Sequence, residues 1–528
     1  MNRPAVARFG AAAVSGVLLA TARPPIDLGP LACVALVPLF VAWRGQGPRA
    51  TAAYAFVAAA AYYALLMSWS WYFGTIAIVP LVIALGSYWA AGGASVGWLG
   101  RRSAANPFSS AAVWVLAEGL VARWPFGGFS WGEVGYAFHN VAVARAVASD
   151  GGVALVTFFA VALNALIADG VVNAWNRRLV TRAGWVRLGA GLTIVLILPV
   201  AAAVTRTEPR PAGPLRVAIL QGNDLNRDLT PAEETARYLP NSHFRLVARV
   251  GEPVDLIVFP ESSMDADPRT DPYLLDHIRA VARRKRSWVL VNGAVDAPAR
   301  GSRPAGEKLL NLDVLFAPDG TVQGTYAKRH LVPFGEFVPF RAALQPRIGV
   351  LNQIPRDFER GSTAGIFEIA GHRVATIICF ESAFGYQVRP LVHAGAEVIV
   401  VSTNNRSYER SANSAQHVAI GQMRSAETGR PLVQAAISGI SAVIDADGVV
   451  QQRTALFERT VLEATVIATT GETPYVRYGE WAIWAAALGL LGASVFALRR
   501  ERRAKFIDSA PPSTSETASA AKTSGDST

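Results

Sequence analysis

A multi-pass α-helical membrane bundle of about eight helices, carrying a layered α/β domain outside the cytoplasm, is the architecture this sequence predicts. Three observations predict it. Eight apolar segments stand in the 528-residue chain, seven before residue 206 and one near the C-terminus. Basic residues collect in alternate connections between them. The long stretch between segments seven and eight alternates short β-rich runs with amphipathic helices.

Composition sets the frame. Hydrophobic residues make up 51% of the chain and charged ones 17%, and the mean hydropathy is +0.27. That balance is too apolar for an ordinary soluble enzyme. Only two cysteines occur, and Cys33 lies inside an apolar segment, so a disulfide framework is excluded. The sequence has no Cys/His cluster with metal-ligand spacing and no phosphate-cradling glycine motif, so neither metal nor cofactor is implied. A net charge of +11 raises nucleic acid as a partner, but the placement of that charge points to membrane topology instead.

The apolar segments span residues 9–22, 28–43, 52–73, 76–99, 108–122, 152–175, 188–204 and 481–498. A bilayer core needs about 20 apolar residues per helix, which the third, fourth and sixth segments meet. The first two are short and are separated by Pro24 and Pro25, which predicts a tight hairpin. The first segment also reads as a cleavable signal peptide, with Arg3 and Arg8 before an apolar run that ends in Ala20-Thr21-Ala22. Either reading leaves the N-terminus inside.

With the N-terminus inside, the cytoplasmic connections carry Arg44 and Arg49, then Arg101 and Arg102, then Arg177, Arg178, Arg182 and Arg187. Arg499, Arg500, Arg502, Arg503 and Lys505 follow the eighth segment. The outer connections hold only Arg23, Arg123 and Arg145. This is the positive-inside pattern. It assigns much of the net charge to topology, argues against a nucleic-acid partner, and puts the long segment outside the cytoplasm.

That segment, residues 215–466, reads as one α/β domain. Its β-rich runs are LRVAILQ, VDLIVFP, SWVLVNGAV, LDVLFAP, RVATIIC, AEVIVVST and PLVQAAISGISAVID, with helices predicted in TDPYLLDHIRAVARRKR and NSAQHVAIGQMRSAETG. Continuous apolar strands between amphipathic helices predict sheets buried on both faces. The Asp-Gly pair in APDGTVQG predicts a hairpin. The expected division is a bundle over 1–205, a catalytic domain over 215–466, a C-terminal helix over 481–498 and a basic, disordered cytoplasmic tail over 499–528.

Three polar residues stand at the ends of strand-like runs: Glu261 in VDLIVFPE, Lys328 in GTYAKRHLVPFGEF and Cys379 in RVATIIC. A thiol attacks as thiolate, which a nearby cation favours. A buried carboxylate accepts the thiol proton, and a lysine ammonium stabilises the oxyanion on an attacked carbonyl. Together they make an acyl-transfer site without a cofactor. Taken singly, each has a plain structural alternative: core packing for Cys379, helix capping for Glu261 and a surface position for Lys328.

The local motifs favour the chemical reading. FPES, YAKRHLVPFGEFVPF and ICFES resemble the Glu-Lys-Cys regions of the nitrilase superfamily, which implies an αββα sandwich. KRHLVPFGEFVPF between membrane helices, with GRP at 429–431, SGISAVID at 438–445 and WPFGGFSWGEVGY after the fifth segment, is similar to the apolipoprotein N-acyltransferase family over residues 9–498. The resemblance implies a multi-pass protein of the bacterial inner membrane with its catalytic domain on the outer face. It implies a phospholipid acyl donor and a diacylglyceryl-apolipoprotein acceptor, with Cys379 as nucleophile, Glu261 as base and Lys328 as oxyanion stabiliser. By the same resemblance Glu336 positions Lys328, Glu381 hydrogen-bonds within the turn after the nucleophile, and Asn311 lines the site. Glu336 and Glu381 also read as ordinary turn or ion-pair carboxylates.

Phe334, Phe337, Phe340 and Leu344 form an apolar stretch after Lys328, suited to lining a lipid mouth or to core packing. Glu118 lies in the fifth segment near Arg123 and Trp124, where structural pairing or snorkelling is expected rather than catalysis. The chain departs from the family pattern at Asn405, Ser407 and Tyr408, where Asp, Trp and Phe are expected, and at Phe380, a frequent tyrosine. Two other readings stand beside acyl transfer: a membrane-tethered amidase or lipid hydrolase, and an inactive scaffold. The basic tail is a candidate for binding a cytosolic partner.

Overall fold

The architecture is that of a computed structural model, which describes residues 3–102, 105–176, 182–206, 208–224, 229–251, 253–301 and 303–508. Arg177 and Arg178 of the predicted inner loop, and residues 509–528 of the predicted tail, lie outside the described residues.

Seven helices precede the α/β domain: α1 (Arg3–Thr21), α2 (Val37–Trp43), α3 (Pro48–Leu66), α4 (Thr75–Arg101), α5 (Pro107–Val121), α6 (Ala142–Trp175) and α7 (Arg182–Thr205). A C-terminal helix, Trp481–Asp508, follows it. By length and composition six of these can cross a membrane, α2 and α5 being the shorter pair. The second apolar segment is not one helix: a 3-10 turn at Gly29–Cys33 precedes α2. The chain reverses between α1 and α2 at Pro24-Pro25, and Ser15 Oγ accepts from the Leu39 amide at 2.9 Å. Gly16 permits the close approach of α1 to α3, since a Cβ there would meet the Ala58 carbonyl at 2.1 Å. On α7, Ile194, Leu196, Ile197, Leu198 and Val200 are exposed, as expected of a lipid-facing helix.

The outer domain holds two six-stranded sheets, ordered β12-β1-β2-β3-β4-β5 and β11-β10-β9-β8-β7-β6. The first contains β1 (Arg210–Gln221), β2 (Leu256–Val258), β3 (Trp288–Asp296), β4 (Leu309–Phe316), β5 (Val322–Ala327) and β12 (Thr460–Thr470). The second contains β6 (Ile366–Ile369), β7 (His372–Ile378), β8 (Val398–Thr403), β9 (Leu432–Ala436), β10 (Ala442–Ile444) and β11 (Val450–Arg453). The strand pairs β1–β2–β3 and β7–β8–β9 are parallel, and the flanking pairs are antiparallel.

Period-2 alternation explains the layering. Val217 and Ile219 point into the core between the sheets, with Val258, Val398 and Val400. Ala218 and Leu220 point the other way, against the helix Pro272–Lys285. The second sheet likewise covers its outer face with the helices Gly385–His393 and Asn413–Thr428. The result is an αββα sandwich.

Several expectations shift in detail. The sandwich begins at Arg210 and its last strand ends at Thr470, outside the expected bounds of 215 and 466. PLVQAAISGISAVID is two strands, because the chain turns between Ala436 and Ala442. Strands β6, β11 and β12 have no counterpart among the predicted runs. The predicted hairpin at APDGTVQG is the β4–β5 turn. The last helix continues to Asp508, so residues 499–508 prolong a helix instead of opening a tail.

The two parts share a core. Phe380, Ala383, Phe384, Ile420 and Met423 of the outer domain pack into the same apolar cluster as α1–α6. Helix α6 breaks at Gly151–Gly152, and the freed Val153 amide donates to Glu427 Oε1 at 2.7 Å. Gly152 has φ +73°, and a Cβ there would meet the Tyr475 ring at 2.7 Å. Gln416 joins four bundle segments: its Oε1 accepts from the Trp69 and Trp131 indoles, and its Nε2 donates to the Pro24 and Leu66 carbonyls.

Candidate active site

Strands β2, β3 and β5 run in one direction, because β4 is antiparallel to both β3 and β5. Glu261, just past β2, and Lys328, just past β5, therefore emerge at the same edge of the first sheet. Cys379 follows β7 directly and opens a 3-10 turn, Cys379–Ala383, facing them from the second sheet. Its φ of +54° lies in the left-handed region, uncommon for a non-glycine residue and a mark of a functionally constrained turn.

Lys328 is 1% exposed, with its Nζ 3.0 Å from Glu336 Oε1 and 3.4 Å from Glu261 Oε1. Burial opposes its charge, but the carboxylates of Glu261 and Glu336 outweigh that and hold the ammonium well above its ordinary range. Asn311 Nδ2 bridges the two carboxylates, donating to Glu261 Oε1 at 2.6 Å and Glu336 Oε1 at 3.0 Å. Asn311 Oδ1 accepts from Asn292 Nδ2 at 2.9 Å, which orients the amide. The other oxygen of Glu336 accepts from the Val332 amide at 2.8 Å, and that of Glu261 from the Asn404 amide at 2.7 Å.

Burial pushes the Cys379 thiol up to about 12, with Glu261 adding to the rise. Lys328 opposes it, as do the Thr403 hydroxyl, which donates to Sγ at 3.3 Å, and the Asn404 amide. The resting sulfur is thus a protonated thiol beside a carboxylate and a fixed cation. A thiol in that setting can become a nucleophile by passing its proton to the carboxylate.

Glu381 is fully buried and ties the Cys379 turn to the Lys328 loop. It accepts from the Ile378 amide at 2.8 Å, the Arg329 and His330 amides at 2.8 and 3.0 Å, and the Tyr326 hydroxyl at 2.8 Å. The six residues singled out from the sequence, Glu261, Lys328, Cys379, Glu336, Glu381 and Asn311, thus come together in one continuous network.

Glu118 stands apart from that cleft, within the bundle. Its oxygens accept from Trp114 Nε1, the Val134 amide and Thr157 Oγ1. The expected neighbour Arg123 pairs with Glu480 instead.

Sequence reasoning passed over Asn292, Tyr326, Thr403, Asn404, Ser382 and His417. Thr403 ends β8 and Asn404 follows it, much as Cys379 follows β7, but in the sequence they read as an ordinary strand terminus. The others are polar residues within buried elements and have no distinctive spacing.

An apolar cluster follows Lys328 in the chain. Phe334 and Phe340 are 48% and 72% exposed, and both rings meet Phe126 of the loop after α5, at centroid separations of 6.5 and 5.8 Å. Phe129 and Trp131 of the same loop lie 5.6 and 6.2 Å from the Phe380 ring.

A sandwich of two such sheets, closed over a buried Glu-Lys-Cys cleft, defines a carbon-nitrogen hydrolase domain, and the corresponding family model matches residues 216–475. The model of the apolipoprotein N-acyltransferase N-terminal domain matches residues 15–166. An apolipoprotein N-acyltransferase of Geobacter metallireducens is 30% identical over 93% of this chain and 95% of its own length. One of Azotobacter vinelandii is 31% identical over 93% and 96%. A solved CN-hydrolase superfamily protein of Xanthomonas campestris shares 18% identity, with a TM-score of 0.37, over 52% of this chain and 97% of its own. The chain belongs to the apolipoprotein N-acyltransferase family. It is a membrane protein with a carbon-nitrogen hydrolase catalytic domain.

Proposed function

We propose that this chain transfers a fatty acyl group from a phospholipid, through a thioester on Cys379, to the α-amine of the S-diacylglyceryl cysteine that begins an apolipoprotein. Membership of the family supports the activity. The observation that carries the assignment of roles is the convergence of Glu261, Lys328 and Cys379 on one cleft.

In the first half-reaction Glu261 takes the thiol proton and Sγ attacks the ester carbonyl carbon. Lys328 Nζ stabilises the oxyanion of the tetrahedral intermediate, and Glu336 and Asn311 hold Lys328 and Glu261 in register. The ester C–O bond breaks, Glu261 protonates the departing alkoxide, and lysophospholipid leaves. In the second half the lipoprotein amine attacks the thioester carbonyl, the C–S bond breaks, and the amine proton returns to sulfur by way of Glu261. A thioester retains enough activation for this step, so neither half needs a nucleotide.

The proposed setting is the inner membrane, with residues 1–205 as the bundle and the domain of residues 215–466 on the outer face. The basic residues of the inner loops support that orientation. Phe126, Phe334 and Phe340 would form the lipid mouth, with Phe337 and Leu344, both half-buried, behind them.

The test is intact-protein mass spectrometry of the detergent-purified chain after incubation with phospholipid and no acceptor, alongside Cys379→Ala. The expected result is a fatty-acyl mass increase that is absent from the variant and discharged by a diacylglyceryl-cysteine peptide, which becomes N-acylated. Discharge by water alone would replace the reading with a hydrolase. No adduct would leave a scaffold.

A further inference from the structure

Behind the nucleophile lies a closed ring of neutral polar groups for which the proposed reaction has no assigned use. His417, on the helix Asn413–Thr428, is 1% exposed. Its Nε2 is 2.7 Å from Ser382 Oγ, and its Nδ1 is 3.5 Å from both Asn405 Nδ2 and Thr403 Oγ1. Ser382 Oγ donates to the Cys379 carbonyl at 3.0 Å, and Thr403 Oγ1 donates to Cys379 Sγ at 3.3 Å. The imidazole therefore bridges the two hydroxyls that hold the nucleophile, one at its backbone and one at its sulfur.

The donors assign themselves. The Ser382 proton is committed to the Cys379 carbonyl, so the short contact to His417 requires Nε2–H to be the donor. Nδ1 then carries the lone pair and accepts from the Asn405 amide. Three acceptors compete for the Thr403 proton: Cys379 Sγ at 3.3 Å, Asn405 Oδ1 at 3.3 Å and His417 Nδ1 at 3.5 Å. A separation of 3.3 Å is ordinary for a hydrogen bond to sulfur but stretched for one to oxygen or nitrogen. The proton therefore goes to sulfur, where it favours the thiolate.

From this geometry we infer that His417 is a positioning residue for Cys379. As a neutral Nε2–H tautomer it fixes the strained Cys379 turn through Ser382 and, by holding the Asn405 amide on Nδ1, leaves the Thr403 hydroxyl to Sγ. Burial holds the imidazole neutral, with its pKa lowered to about 4. The charged groups facing Cys379 are Glu261 and Lys328 across the cleft. The preceding residue, Gln416, is anchored in the bundle, and the Trp131 ring lies 5.6 Å from that of His417. The same helix turn therefore touches both the membrane helices and the ring of groups around Cys379.

The inference rests on Cys379 being the nucleophile, so its test reads the thiol directly and needs no acyl substrate. The rate of Cys379 alkylation by iodoacetamide, mapped by peptide mass spectrometry, is followed against pH in the full-length chain, in His417→Leu and in His417→Gln. His417→Leu releases the Asn405 amide, whose oxygen can then draw the Thr403 hydroxyl away from Sγ, so alkylation is expected to slow about tenfold at each pH, the scale of one lost hydrogen bond to the charged form. Its acyl-adduct formation is expected to slow roughly tenfold or more, as for a misplaced reacting group, with the apparent KM for phospholipid unchanged. His417→Gln, whose amide can still donate to Ser382, is expected to recover part of both. Should His417→Leu fail to fold, Thr403→Val and Ser382→Ala take its place, the first shifting the alkylation profile and the second slowing adduct formation. A wild-type alkylation profile in folded His417→Leu, or in Thr403→Val, would overturn the assignment.

Discussion

Lys328 Nζ lies 3.0 Å from Glu336 Oε1, closer than to Glu261 Oε1 at 3.4 Å, and Asn311 Nδ2 touches both of those oxygens. One ammonium thus serves two buried carboxylates. Glu336 is the nearer partner of the ammonium, while Glu261 is held chiefly by Asn311 at 2.6 Å and the Asn404 amide at 2.7 Å. Breaking a buried charged set by removing one member costs about 3–5 kcal/mol. Lys328→Met should therefore lower the unfolding midpoint in detergent as well as abolish turnover. The direct check is adduct formation by mass spectrometry, expected to fall by roughly 10²–10³ for loss of an oxyanion donor. Retention of near-normal adduct formation would remove Lys328 from that role.

Asp313 makes a pH-dependent contribution of definite sign. It is fully buried, donor-paired with Asn292 Nδ2 at 2.9 Å and in contact with Thr376 Oγ1, and burial raises its carboxyl to about 7. A carboxyl whose folded pKa exceeds the unfolded value favours the protonated native state. That advantage is fully present below about pH 4 and is lost as pH rises through 7. Asn is the neutral isostere of the protonated acid. Asp313→Asn should accordingly exceed the wild-type thermal midpoint by a margin that grows from pH 5 to pH 8.5, reaching on the order of a few kcal/mol. Equal midpoints at both pH values would show that Asp313 is ionised in the native state.

The joint between bundle and outer domain is sensitive at Gly152. A Cβ there meets the Tyr475 ring at 2.7 Å, and φ is +73°. Gly152→Ala should cost roughly 1–3 kcal/mol through overpacking and should shift Glu427 away from the Val153 amide. Limited proteolysis of the variant in detergent is expected to release the outer domain faster than in the wild type, while Gly189→Ala, where a Cβ meets nothing within 4 Å, leaves the rate unchanged.

Phe340 tests the lipid mouth. Its ring is 72% exposed and packs edge-on to Phe126. Phe340→Ala is expected to raise the apparent KM for phospholipid in mixed micelles roughly tenfold, the lower end of what a buried Phe contributes to an apolar contact, with little change in adduct formation from a short-chain soluble ester. Equal losses with both donors would show that the ring supports the fold instead.

The legible part of the site was the part that sits at strand ends. Glu261, Lys328 and Cys379 each interrupt an apolar run with a polar side chain, and that contrast is visible without a structure. Thr403 ends β8 in the same way but reads as an ordinary strand terminus. His417 and Gln416 lie in a helix whose residues are almost all buried, so no polar face distinguishes them from neighbours such as Gln422 or Ser425. The strands β6 and β11 were missed because each has only four residues, too short for a period to emerge.

By itself the sequence determined the number of apolar segments, the alternation of basic residues in their connections, the α/β character of the long connection and the three polar residues at its strand ends. These follow from local regularities: segment length, charge placement and strand periodicity. Only the tertiary structure decided that the two sheets face each other, that Glu336 shares one ammonium with Glu261 while Asn311 bridges the two carboxylates, and that the Cys379 turn packs into the membrane bundle through Phe380 and Phe384. Those relations join residues tens to hundreds of positions apart. They are set by which apolar faces bury together and which polar groups must then find partners inside, and neither is encoded in any short stretch of chain.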